Sequence, residues 1–350
     1  MVSLFLGRLQ AKIWPEPLPS PGSFEGQTVL VTGATAGLGL AAAVHFARLG
    51  ARVILTSRTA ARGDCARQHV EDAAGIAGQG KVHVVELDMT RYSSCVSFLG
   101  RLKQNDAAKS GLDVAVLNAG VINADYVRSP EGWEEAIQVN TLSTTLLGLL
   151  LLPWMKQTGL GREKIPHLVF VTSRDHLDPD ITTWAEWPEA HGGILRHLSD
   201  AENWPSDYLQ PNYAASKLML TYAVEEISKR ATGQDGTLQV IVNSVCPGLV
   251  STDLPRSLVQ RSWRVRALVF IYLGCLGKSA DYGARLYVRA ALTPREDHGK
   301  YIQSLFSDEE YRRVAIPNLK SQTAIKVKAQ VWNEILGDLL QKVPALEDLR

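Results

Sequence analysis

The strongest constraint on this chain is a rhythm: six short runs rich in Val, Ile and Leu, most of them followed by a helix-like stretch. The runs are "TVLVTG" (28–33), "ARVILTSR" (51–58), "KVHVVELD" (81–88), "LDVAVLNAG" (112–120), "HLVFVTS" (167–173) and "LQVIVNSVCPG" (238–248). Helical stretches fall at about 38–49, 60–74, 93–104, 133–157 and 207–230. The runs are continuously apolar instead of alternating with polar residues, so each strand is expected to be buried on both faces. Strands separated by helices pair in parallel, because a tight hairpin cannot join them. The pattern predicts an α/β fold, a doubly wound parallel sheet in a single domain. Residues 1–26 read as an N-terminal arm ending in a Pro-rich linker, 27–305 as the domain, and 306–350 as a C-terminal helical extension.

Composition narrows the partners. The 350 residues carry 37 basic and 36 acidic side chains, a net charge of +1, which gives no reason to expect nucleic acid or an anionic membrane. The four cysteines (Cys65, Cys95, Cys246 and Cys275) are scattered, with no CxxC pair. They suit a reducing compartment better than a disulfide frame or a zinc site, and a cytoplasmic protein is expected. The start of the chain has an apolar patch but no basic region before it, unlike a signal peptide. Residues 136–155 are uncharged, yet they include Gln138, Asn140 and Pro153 and suit a buried helix better than a membrane span.

The chemistry begins at "TGATAGLG", between the first strand and the first helix, with Gly33, Gly37 and Gly39. Glycines there allow a tight turn and let backbone N–H groups approach a pyrophosphate at the positive end of a helix. This makes the sheet a Rossmann-type fold. Far downstream, "QPNYAASKLML" places Tyr213 and Lys217 four residues apart, on one face of a helix. A phenol can donate a proton, and a nearby ammonium favours its ionised form.

Taken in order, T-G-x-x-x-G-x-G, N-A-G at Asn118–Gly120, Ser173 ending the fifth strand and Y-x-x-x-K at 213–217 resemble the short-chain dehydrogenases/reductases over residues 27–292. The insert-bearing retinol-dehydrogenase-like and fungal secondary-metabolism reductases are similar in particular. The resemblance implies Tyr213 as proton donor, Lys217 on the nicotinamide ribose, Ser173 on the substrate oxygen and Asn140 behind a proton-relay water. It also implies cofactor contacts from Gly33, Thr35, Gly37, Leu38, Gly39, Asp88 and Asn118. Further contacts come from "PGLVST", with Pro247, Val250 and Thr252.

Cofactor choice is read at the end of the second strand. A carboxylate there would bind the ribose 2′-hydroxyl of NAD, but "ILTSRTAARGD" has no acid before Asp64. Ser57 and Arg58 hold the turn, and Arg58 suits a 2′-phosphate, so NADP is expected, with Arg62 the alternative reader of the phosphate should Arg58 not be it.

Two segments stay open. Thirty-nine residues (174–212) separate Ser173 from Tyr213, including Trp184, Trp187 and Trp204. They read either as a surface excursion packed by its tryptophans or as a wall for a bulky apolar substrate. Residues 249–277, with Trp263, Phe270, Ile271 and Tyr272, read as a substrate lid or, less favoured, a membrane contact. The insert's histidines lack ligand spacing, so no metal is expected. The chain is therefore expected to be an NADP(H)-dependent carbonyl reductase or alcohol dehydrogenase acting on a bulky apolar molecule. A retinoid, steroid or lipid dehydrogenase and a non-catalytic NADP-binding scaffold are the rivals, and the scaffold is disfavoured because Tyr213 and Lys217 are both present. The epimerase or dehydratase branch is disfavoured by the glycine spacing.

Overall fold

Apolar runs of four to six residues build the sheet. In the computed structural model, which describes residues 12–13, 15–187, 192–205, 212–252, 272–274 and 276–349, β1 (Thr28–Val31) lies between β2 (Arg52–Ser57) and β4 (Val114–Leu117). β3 (Val82–Glu86) flanks β2, and β5 (His167–Val171), β6 (Ile241–Val245) and β7 (Tyr301–Ile302) continue from β4. The order is β3-β2-β1-β4-β5-β6-β7, and every pairing is parallel. β7 is a finding beyond the six expected strands: two residues leave no periodicity to read.

The strand order reverses between β1 and β4, which opens a crevice at the carboxyl edge of the sheet. α1 (Gly37–Arg48), α2 (Ala60–Ala74) and α7 (Ala280–Ala290) cover one face. Ala42, Ala43, Ala47, Ala284 and Ala290 are buried there, and these small side chains let α1 and α7 pack closely. α3 (Tyr92–Gln104), α4 (Thr144–Gly159) and α6 (Tyr213–Lys229) cover the other face with larger side chains such as Phe98, Leu102, Leu147 and Leu218.

The helix expected at 133–157 is interrupted by a π-helical turn, Ile137–Ser143, ahead of α4. The buried Glu134 carboxylate caps its start, accepting from Ala136 N at 2.9 Å and Ile137 N at 3.2 Å. The 23-residue stretch Ile137–Gly159 is apolar enough to cross a membrane, but 94% of its apolar window is buried within the fold. It is a core helix.

Beyond β7 come α8 (Asp308–Val314), a second π-helical turn (Ile316–Lys320) and α9 (Gln322–Lys342). α8 begins with a capping box in which Ser307 and Glu310 each bond the other's backbone N–H. α9 lays Val327, Val331, Ile335 and Leu339, one turn apart, onto the larger-residue core. It packs against α6, the short α5 (Ile194–Ser199) and the turn at Trp184, so it holds the insert down as well.

Candidate functional site

A cavity of about 590 Å³ opens at the carboxyl edge of the sheet. Of the residues singled out from the sequence, Gly33, Thr35, Gly37, Leu38, Gly39, Ser57, Arg58, Asp88 and Asn118 line it. So do Ser173, Tyr213, Lys217, Pro247, Val250 and Thr252. Residues spread over more than two hundred positions thus meet in one space.

Backbone builds one end. Gly33 and Gly37 have φ of 64° and 56°, in the left-handed region that favours glycine. Gly39 is needed for closeness: a Cβ there would stand 2.5 Å from both Gly33 O and Asn118 Nδ2. The turn is tied to its neighbours, with Gly33 N donating to Thr56 Oγ1 at 3.0 Å and Asn118 Nδ2 to Thr32 O at 2.8 Å. α1 starts at Gly37, so its free N–H groups and positive dipole end belong to this turn. At the end of β2, Ser57 is buried and spends its hydroxyl on Thr59 O at 2.8 Å. Arg58 and Arg62 are exposed and line the cavity, and neither has an ion pair or hydrogen bond among the described residues. Asp88 folds into a local turn, accepting from Thr90 N at 3.0 Å and Thr90 Oγ1 at 2.9 Å, and is not the cap of α3, which is Arg91.

Buried side chains build the other end. Tyr213 opens α6 and Lys217 follows one turn on, its Nζ 5.7 Å from the phenol ring centre. Asn212, just before Tyr213, has φ of 57°, the one positive value for a non-glycine among the described residues. Burial and the nearby Asp175 carboxylate push the Tyr213 hydroxyl well above its usual range, against a hydrogen bond with Ser173. Burial also pulls the Lys217 ammonium down to about 8, while its Nζ donates to Val171 O at 2.9 Å.

Asn140 is wholly buried in the π-helical turn, behind the lining residue Val121 and outside the lining itself. Its Nδ2 donates to Val121 O and Ser216 Oγ, both at 3.0 Å, and its Oδ1 accepts from Val121 N at 2.9 Å. With both ends of the amide committed, its side chain knits the segment after N-A-G to the helix of Tyr213.

The insert's tryptophans take the packing reading, not the wall reading. None of Trp184, Trp187 and Trp204 lines the cavity. Trp184 is buried and stacks on Trp187 at 5.5 Å, Trp187 stacks on His197 at 3.8 Å, and Trp204 meets Tyr126 edge-on at 5.6 Å. The insert's described contribution to the cavity is Asp175. From 249–277, Leu249, Val250, Thr252, Tyr272 and Leu273 line it, while Trp263, Phe270 and Ile271 lie outside the described residues.

Sequence reasoning missed Tyr287, whose hydroxyl donates to Asn118 Oδ1 at 2.9 Å, and also Asp175, Glu135 and Cys246, all in the lining. No local motif marks them. No cluster of potential metal ligands occurs among the described residues.

Comparison with known proteins agrees with this geometry. The family profile described as short chain dehydrogenase matches residues 27–183. The short-chain dehydrogenase/reductase ffsI of Aspergillus flavipes is 34% identical over 336 residues, 95% of this chain and 92% of that protein. The short-chain dehydrogenase/reductase phmF of Phaeosphaeria nodorum is 32% identical over 323 residues, covering 91% and 88%. Among solved structures, a short-chain type dehydrogenase/reductase from Mycobacterium marinum superposes with a TM-score of 0.57 at 20% identity, covering 80% of this chain and 94% of that one. A short-chain dehydrogenase from Sphingobium yanoikuyae in complex with NADPH gives 0.54 at 20% identity, covering 83% and 91%.

Proposed function

Because the chain belongs to the short-chain dehydrogenase/reductase family, we propose that it is an NADP(H)-dependent oxidoreductase interconverting a carbonyl and an alcohol on a bulky, largely apolar small molecule. The observation that carries the reading is the convergence of Ser173, Tyr213 and Lys217 on the cavity that also holds the glycine turn. A dinucleotide fits the donor set: a close-packed glycine turn at a helix start for the pyrophosphate, and two guanidinium groups, Arg58 just after β2 and Arg62 on α2, unpaired among the described residues, for the 2′-phosphate. The first acid after β2, Asp64, lies beyond the turn on α2, where it pairs with Arg67 at 3.8 Å.

The bound nicotinamide supplies the hydride. The chain's own residues then do the rest. Ser173 holds the substrate oxygen by a hydrogen bond. Tyr213 gives its hydroxyl proton to that oxygen in reduction and takes one back in oxidation. A phenol held protonated by burial suits the donor role near neutral pH. Lys217, charged below about pH 8, stabilises the phenolate left behind. Val121, Ile122, Leu249 and Leu273 give the lining its apolar share, which favours a poorly soluble substrate. The likeness to fungal relatives supports a tailoring step in secondary metabolism. An NADPH-oxidation screen of purified protein against aromatic, terpenoid and retinoid carbonyls tests the reading. Turnover of at least one class is expected; tight NADPH binding with no turnover of any would favour the scaffold instead.

A further inference from the structure

The C-terminal segment enters the fold directly behind Ser173. The turn Arg174–Leu177, which leaves Ser173, carries the fully buried His176. Its Nδ1 bonds the Ser173 carbonyl, and its Nε2 lies 3.1 Å from the Tyr311 hydroxyl on α8. Asn318, buried in the second π-helical turn, donates from Nδ2 to His176 O at 3.3 Å and Pro179 O at 3.0 Å. The Asn318 carbonyl accepts from the Tyr222 hydroxyl at 2.7 Å, and Tyr222 lies on α6 with Tyr213 and Lys217. One short segment therefore grips both the serine turn and the tyrosine helix.

The proton positions follow from valence. A carbonyl can only accept, so the Nδ1 bonded to Ser173 O carries the imidazole hydrogen. Burial lowers the ring to about 4, so it is neutral near pH 7 and Nε2 is a lone pair. Tyr311 must then donate, and burial raises its phenol so that it keeps the proton. Tyr301 fixes the ring from the side, edge-on to His176 at 4.9 Å and stacked on Tyr311 at 4.7 Å.

We propose that Tyr311, acting through His176, is a positioning residue for Ser173, and that residues 306–320 belong to the catalytic platform. The proposal rests on the reductase reading for the role given to Ser173; the hydrogen-bond chain itself does not.

Tyr311→Phe removes one hydroxyl and keeps the stack on Tyr301. Since misplacing a reacting group by about 1 Å can cost on the order of 10²-fold, kcat for carbonyl reduction should fall about tenfold, with NADPH affinity and thermal unfolding nearly unchanged. His176→Asn, whose amide can still donate to Ser173 O, should keep more activity than His176→Ala. Adding Tyr311→Phe to His176→Asn should cost nothing more. Independently of turnover, the ¹⁵N resonance of His176 Nε2 should report a hydrogen-bonded acceptor in the parent and shift in Tyr311→Phe. An unmoved resonance, or a kcat within twofold of the parent, overturns the proposal. If the parent turns over no carbonyl, the reductase reading falls, while a shifted resonance still upholds the Tyr311–His176–Ser173 chain.

Discussion

The two ends of the cavity are built from different materials. At the β1–β2 end the groups facing inward are largely backbone, placed by glycines and a helix start, with exposed arginines at the rim. At the β5–β6 end they are buried side chains: Tyr213 at 8% exposure and Lys217 at 4%, both moved far from their solution acidity by burial. The first end is set by local conformation and rim charge, so changes there should alter cofactor binding and choice more than chemistry. The second depends on desolvation, so small changes there should alter chemistry more than binding.

The largest effect expected on that contrast comes from Tyr213→Phe. The ring stays and only the hydroxyl goes, so the fold and NADPH affinity should persist while kcat falls by about 10²–10⁴-fold, the usual contribution of a general acid. Single-turnover and binding measurements separate the two. Retention of more than about a tenth of kcat would remove Tyr213 from the proton transfer.

Arg58→Asp probes the opposite end. It replaces a guanidinium suited to a phosphate with a carboxylate suited to a 2′-hydroxyl. The ratio of kcat/KM with NADPH to that with NADH should fall by at least about tenfold, as expected when a charged contact of roughly 1.5–3 kcal/mol is lost. An unchanged ratio would move the phosphate contact to Arg62, which also lines the cavity.

This division also explains what could be read in advance. The glycine turn, N-A-G and the Tyr213–Lys217 pair are legible because each is a local device: a turn, a strand end, an i to i+4 helix face. The parallel sheet is legible for the same reason, from runs such as residues 28–33 and 167–173. Asp175, Tyr287 and the His176–Tyr311 contact are not, because their positions depend on packing between segments up to 169 residues apart, as in Tyr287–Asn118. The π-helical turn that holds Asn140 leaves no mark in hydrophobic periodicity. The insert was ambiguous because tryptophan suits a core and a pocket wall equally, and only the position of α9 decides between them.

Lys217 gives an intermediate test, in pH. Its folded value of about 8 lies below the ordinary lysine value of 10.5, so the free enzyme loses the ammonium as pH rises through about 8. The kcat/KM profile for reduction, which reports the free enzyme, should therefore fall on the alkaline side from about pH 8. For stability the sign is opposite. Between about 8 and 10.5 the unfolded chain binds more protons at this lysine than the folded one, so its contribution to stability rises with pH there. Lys217→Met should abolish both limbs; an alkaline limb that survives it belongs to another group.

The smallest effect on chemistry is expected at Trp187. The residue is half-buried, stacked between Trp184 and His197, and packed on the core that α9 completes, away from the cavity lining. Removing it deletes a packed aromatic surface but touches neither end of the cavity. Truncating a fully buried Trp to Ala costs about 3–5 kcal/mol, so a half-buried one should cost about 1–3 kcal/mol, seen as a lower unfolding midpoint in denaturant. The KM for the largest carbonyl turned over should stay within about twofold, since no lining atom is removed. A raised KM with an unchanged midpoint would instead make the insert a substrate wall, and the contrast between a catalytic edge and a packed flank would have to be redrawn.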